Sequence, residues 1–131
     1  LNGFIIFTDF IEPENVSKYI STAEICVAPE SSNSLNDRST IIKILEYMAL
    51  GKPIVAFDLP EHRVSAQDAA LFAHPDDDLD FAQKIVTLMD NPEQRKKMGE
   101  AGRRRIEKEL AWSYQVKYLL EAYEKLIGVM A

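Results

Sequence analysis

The stretch NDRSTIIKILEYMALGKPIVAF, residues 36–57, decides the fold of this chain. A polar segment opens it and leads into a run of apolar residues at the i, i+3, i+4, i+7 spacing of one helix face, namely Ile41, Ile44, Leu45 and Met48. A Gly-Lys-Pro turn then introduces PIVAF, a continuous apolar run typical of strands that are covered on both faces. A helix followed at once by a buried strand indicates an α/β fold.

Three other runs have strand character, because they are rich in β-branched or aromatic residues and end in polar or proline-containing turns. They are FIIFT (4–8), ICVAP (25–29) and ALFA (70–73), which with PIVAF (53–57) predict about four strands within residues 4–73. Helical patterns cover residues 14–23, 40–50, 79–89, 92–110 and 114–127. Alternating strands and helices imply right-handed crossovers and a parallel sheet. We therefore predict an α/β fold with a doubly wound, Rossmann-like parallel sheet, followed by a helical tail over residues 79–127.

Size, charge and cysteine content limit the kinds of protein that fit this sequence. At 131 residues the chain is one domain or part of one, and its formal net charge of -6 argues against a nucleic-acid partner. The single cysteine, Cys26, cannot form an intrachain disulfide and fits a reducing, cytoplasmic compartment. The chain opens at Leu1 and enters a strand-like run almost at once. We expect it to be cut from a longer protein whose first strands precede Leu1.

Ligands of open parallel sheets bind outside the carboxyl ends of the strands, at helix N-termini. Residues 30–40 form a polar loop at such a strand end, and the amides of Ser39, Thr40, Ile41 and Ile42 would be unpaired donors of the helix that follows. Free amides and the positive end of the helix dipole favour a phosphate. The alternative, that Asp37 or Ser39 merely caps the helix, remains open at this point.

Glu46 lies six residues beyond Thr40 and off the apolar stripe, about 9 Å along the helix axis. A carboxylate there could accept two hydrogen bonds from a vicinal diol such as a ribose, while the start of the helix holds a phosphate. In this interpretation we expect Glu46 to be buried. The alternative is an exposed i, i+3 ion pair between Glu46 and Lys43.

The remaining polar segments predict mostly structural roles. Residues 58–68 form a second loop at a strand end, where a lone histidine such as His62 is typically a solvated surface residue. Acids over residues 76–78 are expected to cap the next helix, and Gly99 and Gly102 to let a neighbouring backbone approach closely. Basic residues over 95–105 alternate with glutamate, which favours a salt-bridged face over weak contact with a membrane surface. Metal-ligand spacing is absent from the sequence, so we predict no metal.

EYMALGKPIVAFD, residues 46–58, resembles the signature of the retaining nucleotide-sugar glycosyltransferases of family 4. FTDFIEPENVSKYISTAEICVAPE (7–30) is similar to the preceding strand–helix–strand unit of that family. NPEQRKKMGEAGRRRIEKELAWSYQVKYLLEAYEKL (91–126) is similar to its closing helices. Together these segments cover nearly the whole chain.

The resemblance implies the C-terminal, donor-binding half of a GT-B enzyme of glycan biosynthesis. Its substrate would be a nucleotide-diphospho-sugar, and a hexosyl group would pass with retention to a glycan or a lipid-linked sugar. The family's ribose-binding acid matches Glu46, and the backbone that receives the diphosphate matches Thr40, Ile41 and Ile42. No residue is implied as catalytic, and no cofactor or metal is implied.

The resemblance also implies a partner and a location. The acceptor domain would lie upstream in the same protein, so this fragment alone should be inactive. We expect a cytoplasmic enzyme, with a peripheral position at the inner membrane face as the alternative.

One position departs from the family pattern. The family carries a second glutamate eight residues before the ribose-binding acid, and Arg38 occupies that position here, beside Asp37. Either Asp37 supplies the carboxylate after a one-residue shift, or Arg38 contacts the sugar or phosphate. Two other functions remain open: a nucleotide-sugar epimerase of the same architecture, and a non-catalytic α/β binding module.

Overall fold

The structure is a computed structural model that describes residues 3–130, and the side chains of residues 3–128. The described residues form three strands, β1 (Cys26–Ala28), β2 (Ile54–Phe57) and β3 (Ala70–Ala73). They also form six α-helices, α1 (Pro13–Thr22), α2 (Ile42–Ala49), α3 (Pro60–Ala66), α4 (Asp78–Met89), α5 (Pro92–Arg105) and α6 (Trp112–Met130). Short 3-10 turns occupy Asn36–Arg38 and Gln67–Ala69, and a π-helical turn, Ile106–Leu110, joins α5 to α6.

The sheet is parallel, in the order β1-β2-β3. Val55 at its centre is in register with Val27 on one side and with Leu71 on the other. Helices connect the successive strands, as parallel pairing requires. The predicted α/β class and the strands predicted over 25–29, 53–57 and 70–73 are confirmed.

The strand predicted over residues 4–8 is wrong, so the sheet has three strands where about four were expected among the described residues. This segment makes only an isolated bridge at Ile5. The exposed fractions of Phe4, Ile6 and Phe7 are 91%, 84% and 86%. A strand exists only when a neighbouring strand pairs with its backbone, and the apolar composition that predicted one supplies no such neighbour.

The core lies on both faces of β2, as expected for a doubly wound sheet. One cluster joins Ile54 and Ala56 to Ile44 and Met48 of α2. The other cluster joins Val55 and Phe57 to helices α4 and α5, through Phe81, Leu88 and Met98. All four residues of β2 are buried, which explains why its sequence is continuously apolar rather than alternating.

Helix α5 packs against the C-terminal end of α2 and the turn that follows it. Gly99 of α5 packs directly against the backbone of Gly51, the turn residue after α2, whose φ of +66° lies in the left-handed region. Gly102 packs against Ala69 and Met48. The predicted close approach of a neighbouring backbone is confirmed at Gly99, whereas the neighbours of Gly102 are side chains.

Two predicted boundaries differ from the structure. Helix α2 begins at Ile42, two residues later than predicted, because Ser39 and Ile41 have extended backbone angles. The segment predicted as a loop over 58–68 contains α3. Pro60 stands at its first turn, and the buried residues Leu59, His62 and Ala66 fall on one helix face that the polar composition had masked.

The predicted helices over 79–89, 92–110 and 114–127 correspond to α4, α5 with its π-helical turn, and α6. Asp77 caps α4 by accepting hydrogen bonds from the amides of Leu79 and Asp80, at 3.1 and 3.0 Å. Asn91 caps α5 by accepting from the amide of Gln94 at 2.9 Å. Within residues 3–130, no helix is both long and apolar enough to cross a bilayer.

Candidate functional site

The carboxyl ends of β1 and β2 meet at one edge of the sheet, where Glu30 follows β1 and α3 follows β2. The segment that leads into α2 lies against α3. Its Thr40 hydroxyl donates a 2.8 Å hydrogen bond to Oε1 of Glu61, which also accepts from the Ser65 hydroxyl at 3.1 Å. The two polar segments at the strand ends therefore come together, as the parallel topology predicted.

The first turn of α2 has no side-chain cap. Ile41 occupies the cap position, and no side chain accepts a hydrogen bond there. The amides of residues 39–42 donate to no group among the described residues. The alternative that Asp37 or Ser39 caps this helix is thus wrong, because a 3-10 turn holds Asp37 away and Ser39 is extended. Unpaired amide donors at a helix start suit an anion.

Asp37 and Arg38 are the two candidates for the position at which this chain lacks the expected first glutamate. Their side chains have different surroundings. The Asp37 carboxylate accepts a hydrogen bond from the Ser32 hydroxyl, at 3.1 and 3.3 Å from its two oxygens. The Arg38 side chain is exposed and forms no ion pair with any described residue. Both residues lie in the segment that leads into α2. Arg38 forms no ion pair with a described residue, whereas the Asp37 carboxylate is hydrogen-bonded to Ser32.

Glu46 is exposed, so the expectation that it is buried is wrong. It lies at the side of α2 that faces α1, on the rim of a hollow of about 260 Å³. The other lining residues are mostly apolar: Pro13, Val16, Ser17, Ile20, Ala49 and Leu50. The burial was expected from the ribose-binding interpretation, but α1 leaves the side of α2 that carries Glu46 partly uncovered.

The expected alternative, an ion pair between Glu46 and Lys43, is not formed either. Lys43, in the first turn of α2, pairs with Oε1 of Glu30 at the end of β1. The lysine side chain is 41% exposed and that of Glu30 is 16% exposed.

His62 completes a cluster with Glu30 and Lys43. Its side chain is fully buried, so the expectation of a solvated surface histidine is wrong. Nδ1 lies 2.9 Å from the carbonyl oxygen of Phe57, the last residue of β2. Nε2 lies 3.7 Å from Oε2 of Glu30. Nε2 of His62 and Oε2 of Glu30 both lack a hydrogen-bond partner among the described residues.

Burial also raises the pKa of two further groups, Tyr47 and Cys26. The pKa of Tyr47 is raised, mainly by burial and further by electrostatic interactions with Cys26, Glu30 and Glu46. Burial raises the pKa of the Cys26 thiol to about 11, although the nearby Lys52 ammonium opposes the shift. Both groups are therefore neutral at pH 7.

Arg63, the other basic residue at the second strand end, is already engaged. Its guanidinium pairs with both oxygens of Asp58, and it lies 4.8 Å from the centre of the Phe72 ring. The hydrogen bonding that Arg63 donates to the Asp58 carboxylate is the main cause that raises the pKa of Arg63.

Away from this edge, the basic stretch of α5 forms ion pairs along the helix, including Arg103 with Glu107 and Arg105 with Glu109. The predicted salt-bridged face is confirmed. In residues 3–130, no group of three or more His, Cys, Asp or Glu side chains is placed to hold a metal ion.

Comparison with known proteins identifies the family. The family model described as "Glycosyl transferases group 1" matches residues 1–91. This chain belongs to that family. Its α/β fold with C-terminal helices is that expected for the C-terminal domain of a GT-B glycosyltransferase.

One relative of this glycosyltransferase chain is the MMP alpha-(1->4)-mannosyltransferase of Mycolicibacterium hassiacum. The two are 26% identical over 124 residues, which cover 92% of the chain and 29% of the relative. The chain therefore spans less than a third of that relative's length.

Sequence reasoning missed the cluster of Glu30, Lys43 and His62. Two of these residues could have been recognised from their positions in the sequence. Glu30 follows the proline after β1, and His62 follows β2 by a few residues. Charged or titratable residues just beyond two parallel strands are expected to converge. The signal was overlooked because His62 was considered alone and Lys43 was compared only with neighbours on its own helix.

Proposed function

We propose that this chain is the donor-binding part of a glycosyltransferase that moves a hexosyl group from a nucleotide-diphospho-sugar to an acceptor, with retention of anomeric configuration. The observation that carries the proposal is the uncapped start of α2, whose amides over residues 39–42 are unpaired at the carboxyl edge of the sheet in a chain of this family. The donor's diphosphate binds these amides. In the transfer step they stabilise the negative charge of the leaving nucleoside diphosphate.

Glu46 binds the ribose of the donor. It lies about 6 Å along α2 from Ile42, a separation that suits a ribose joined to phosphates at the helix start. Its exposure leaves the carboxylate accessible to a diol. The apolar walls of the adjoining hollow, from Val16 and Ile20 of α1, suit the less polar faces of the nucleoside.

Arg38 contacts the sugar or the diphosphate. Asp37 is the less suitable of the two candidates, because its carboxylate accepts a hydrogen bond from Ser32, whereas the Arg38 side chain is exposed and its residue directly precedes the unpaired amides of residues 39–42. An arginine can bind a phosphate through two parallel hydrogen bonds.

The acceptor side of the cleft belongs to a further domain of the same protein. The chain spans 29% of its mannosyltransferase relative, which leaves ample length for such a domain in a protein of that size. Residues 1–131 alone should therefore transfer no sugar.

The test is a calorimetric titration of the full-length protein with GDP, UDP and ADP, for wild type and for Glu46→Gln. Wild type should bind one of the three, and Glu46→Gln should weaken that binding by roughly 1.5–3 kcal/mol, because a charged hydrogen-bond partner of the ribose is lost. Glu121→Gln, an exposed glutamate of α6, is the matched control and should leave binding unchanged.

Two results would contradict the proposal. Unchanged affinity in Glu46→Gln would show that Glu46 is a surface acid without a ligand. Turnover of a nucleotide-sugar in the absence of any acceptor would favour an epimerase instead.

A further inference from the structure

The buried histidine of the strand-end cluster has a defined hydrogen on one nitrogen. Nδ1 of His62 lies 2.9 Å from the Phe57 carbonyl oxygen, and a carbonyl can only accept, so Nδ1 donates. In a neutral ring, Nε2 would then be an acceptor. It points at Oε2 of Glu30, another acceptor, 3.7 Å away.

Two buried acceptors facing each other without other partners would repel, and neither would have its hydrogen bond. One hydrogen between Nε2 of His62 and Oε2 of Glu30 removes this conflict, because one of the two atoms then donates to the other. The His62–Glu30 pair is fixed at one end by the backbone of β2, through the hydrogen bond that Nδ1 donates to the Phe57 carbonyl oxygen.

The other oxygen of Glu30 holds Lys43. An ammonium group has three hydrogens, and the contact with Oε1 of Glu30 uses one of them. The lysine is 41% exposed and stands in the first turn of α2, the turn whose amides are unpaired. His62 anchors Glu30 from the protein interior, and Glu30 in turn anchors Lys43 at the surface.

We propose that Lys43 is a diphosphate-binding residue of the donor site and that the buried His62–Glu30 pair positions its ammonium group. This inference rests on the proposed function and adds three residues to that site. Lys43 supplies the positive charge that neutral amides lack, and it binds the leaving diphosphate together with the amides of residues 39–42. His62 and Glu30 touch no substrate and act through Lys43.

Anchoring explains why the lysine is paired with a residue of another element. A free lysine has a flexible side chain that must be ordered when it binds an anion. An ammonium already held by Glu30 keeps two hydrogens directed elsewhere and loses less freedom on binding. The negative charge of Glu30 would oppose a phosphate, and the ion pair of Glu30 with the Lys43 ammonium offsets that charge.

The first measurement is the affinity of the full-length protein for GDP, UDP and ADP and for guanosine, uridine and adenosine. For the base that binds, Lys43→Met should weaken the diphosphate by roughly 10- to 150-fold and leave the nucleoside within about twofold, because only a charged contact to phosphate is lost. Lys43→Arg should retain most of the diphosphate affinity. Lys84→Met is the matched control, since Lys84 forms a similar ion pair with Asp80 within α4, and it should have no effect.

The second measurement tests positioning, with Glu30→Gln and His62→Gln alone and each combined with Lys43→Met. Each single variant should weaken the diphosphate selectively over the nucleoside. Neither double variant should bind diphosphate more weakly than Lys43→Met alone, because both residues act through Lys43. A merely structural role would weaken diphosphate and nucleoside equally. If His62→Gln does not fold, the Glu30→Gln pair of variants decides the same point.

The outcomes separate this inference from the proposed function. Selective loss in Lys43→Met, with no added loss in the double variants, supports the inference. If wild type binds a diphosphate and Glu46→Gln weakens it while Lys43→Met does not, the role of Lys43 is refuted and the proposed function stands. Additive losses in the double variants would refute the positioning role. If wild type binds none of the diphosphates, both the inference and the proposed function are refuted.

Discussion

Replacing Gly99 by alanine should destabilise the protein, although alanine normally favours a helix. An added Cβ would lie 2.1 Å from the carbonyl oxygen of Gly51 and 2.9 Å from its carbonyl carbon. Contacts between carbon and oxygen atoms are usually about 3.3 Å or longer, so the overlap exceeds 1 Å. The atoms that must move are backbone atoms of the turn between α2 and β2, which cannot rotate away as a side chain can.

The expected magnitude is a balance of two effects. Overpacking of a buried site typically costs about 1–3 kcal/mol. Replacing a mid-helix glycine by alanine returns roughly 0.5–1 kcal/mol. The clash at Gly99 is with backbone, which places the cost at the upper end of that range, so we expect a net loss of about 2–2.5 kcal/mol in the free energy of unfolding.

Urea unfolding followed by circular dichroism measures this difference through the transition midpoint at unchanged slope. Gly128→Ala is the control, because Gly128 lies in α6 with no atom within 4 Å of the added Cβ, and it should stabilise α6 slightly. A Gly99→Ala protein as stable as wild type, beside a neutral or stabilised Gly128→Ala, would refute the packing of α5 against the Gly51 turn.

The remaining predictions concern a thiol and a helix cap. Because burial raises the pKa of Cys26 from 9.0 to about 11, the folded state favours the neutral thiol, so its stabilisation is complete below pH 9.0 and is lost as the pH rises through 11. Between these pH values, wild type should lose more unfolding free energy than Cys26→Ala, by at most about 2.7 kcal/mol at 1.36 kcal/mol per pKa unit; parallel pH profiles would contradict this. Asp77→Ala should lower the unfolding free energy by roughly 0.5–2 kcal/mol, because two amides of α4 lose their acceptor. Asp90→Ala, at the opposite end of α4, should be neutral or slightly stabilising, since a negative charge there opposes the helix dipole; equal losses in the two variants would argue against the cap.

Features set by short-range periodicity could be predicted from the sequence. The stripe of α2 placed Ile44 and Met48 in the core, and the continuous apolar run of β2 indicated burial on both faces. The start of α5 at Pro92 agrees with the helical pattern predicted over 92–110. Each of these depends on residues that are neighbours in sequence, so the pattern itself carries the information.

The candidate site could be predicted only in part. The polar lead-in to α2 was placed correctly at a strand end, because parallel topology fixes where such segments meet. The exposure of Glu46 could not be predicted, since it depends on how closely α1 covers α2. Whether Asp37 would cap the helix depended on a 3-10 turn that no sequence signal announced.

The sequence by itself determined the strands β1, β2 and β3, their parallel pairing and the cap of α4, because hydrophobic period and cap residues act within a few residues of each other. Only the tertiary structure decided that residues 4–8 form no strand, that His62 is buried, and that Lys43 pairs with Glu30 and not with Glu46. Each of these outcomes depends on which distant segment packs alongside, and the composition of a segment does not specify that partner. The chemistry of the strand-end edge therefore arises from the crossover that brings the ends of β1 and β2 together.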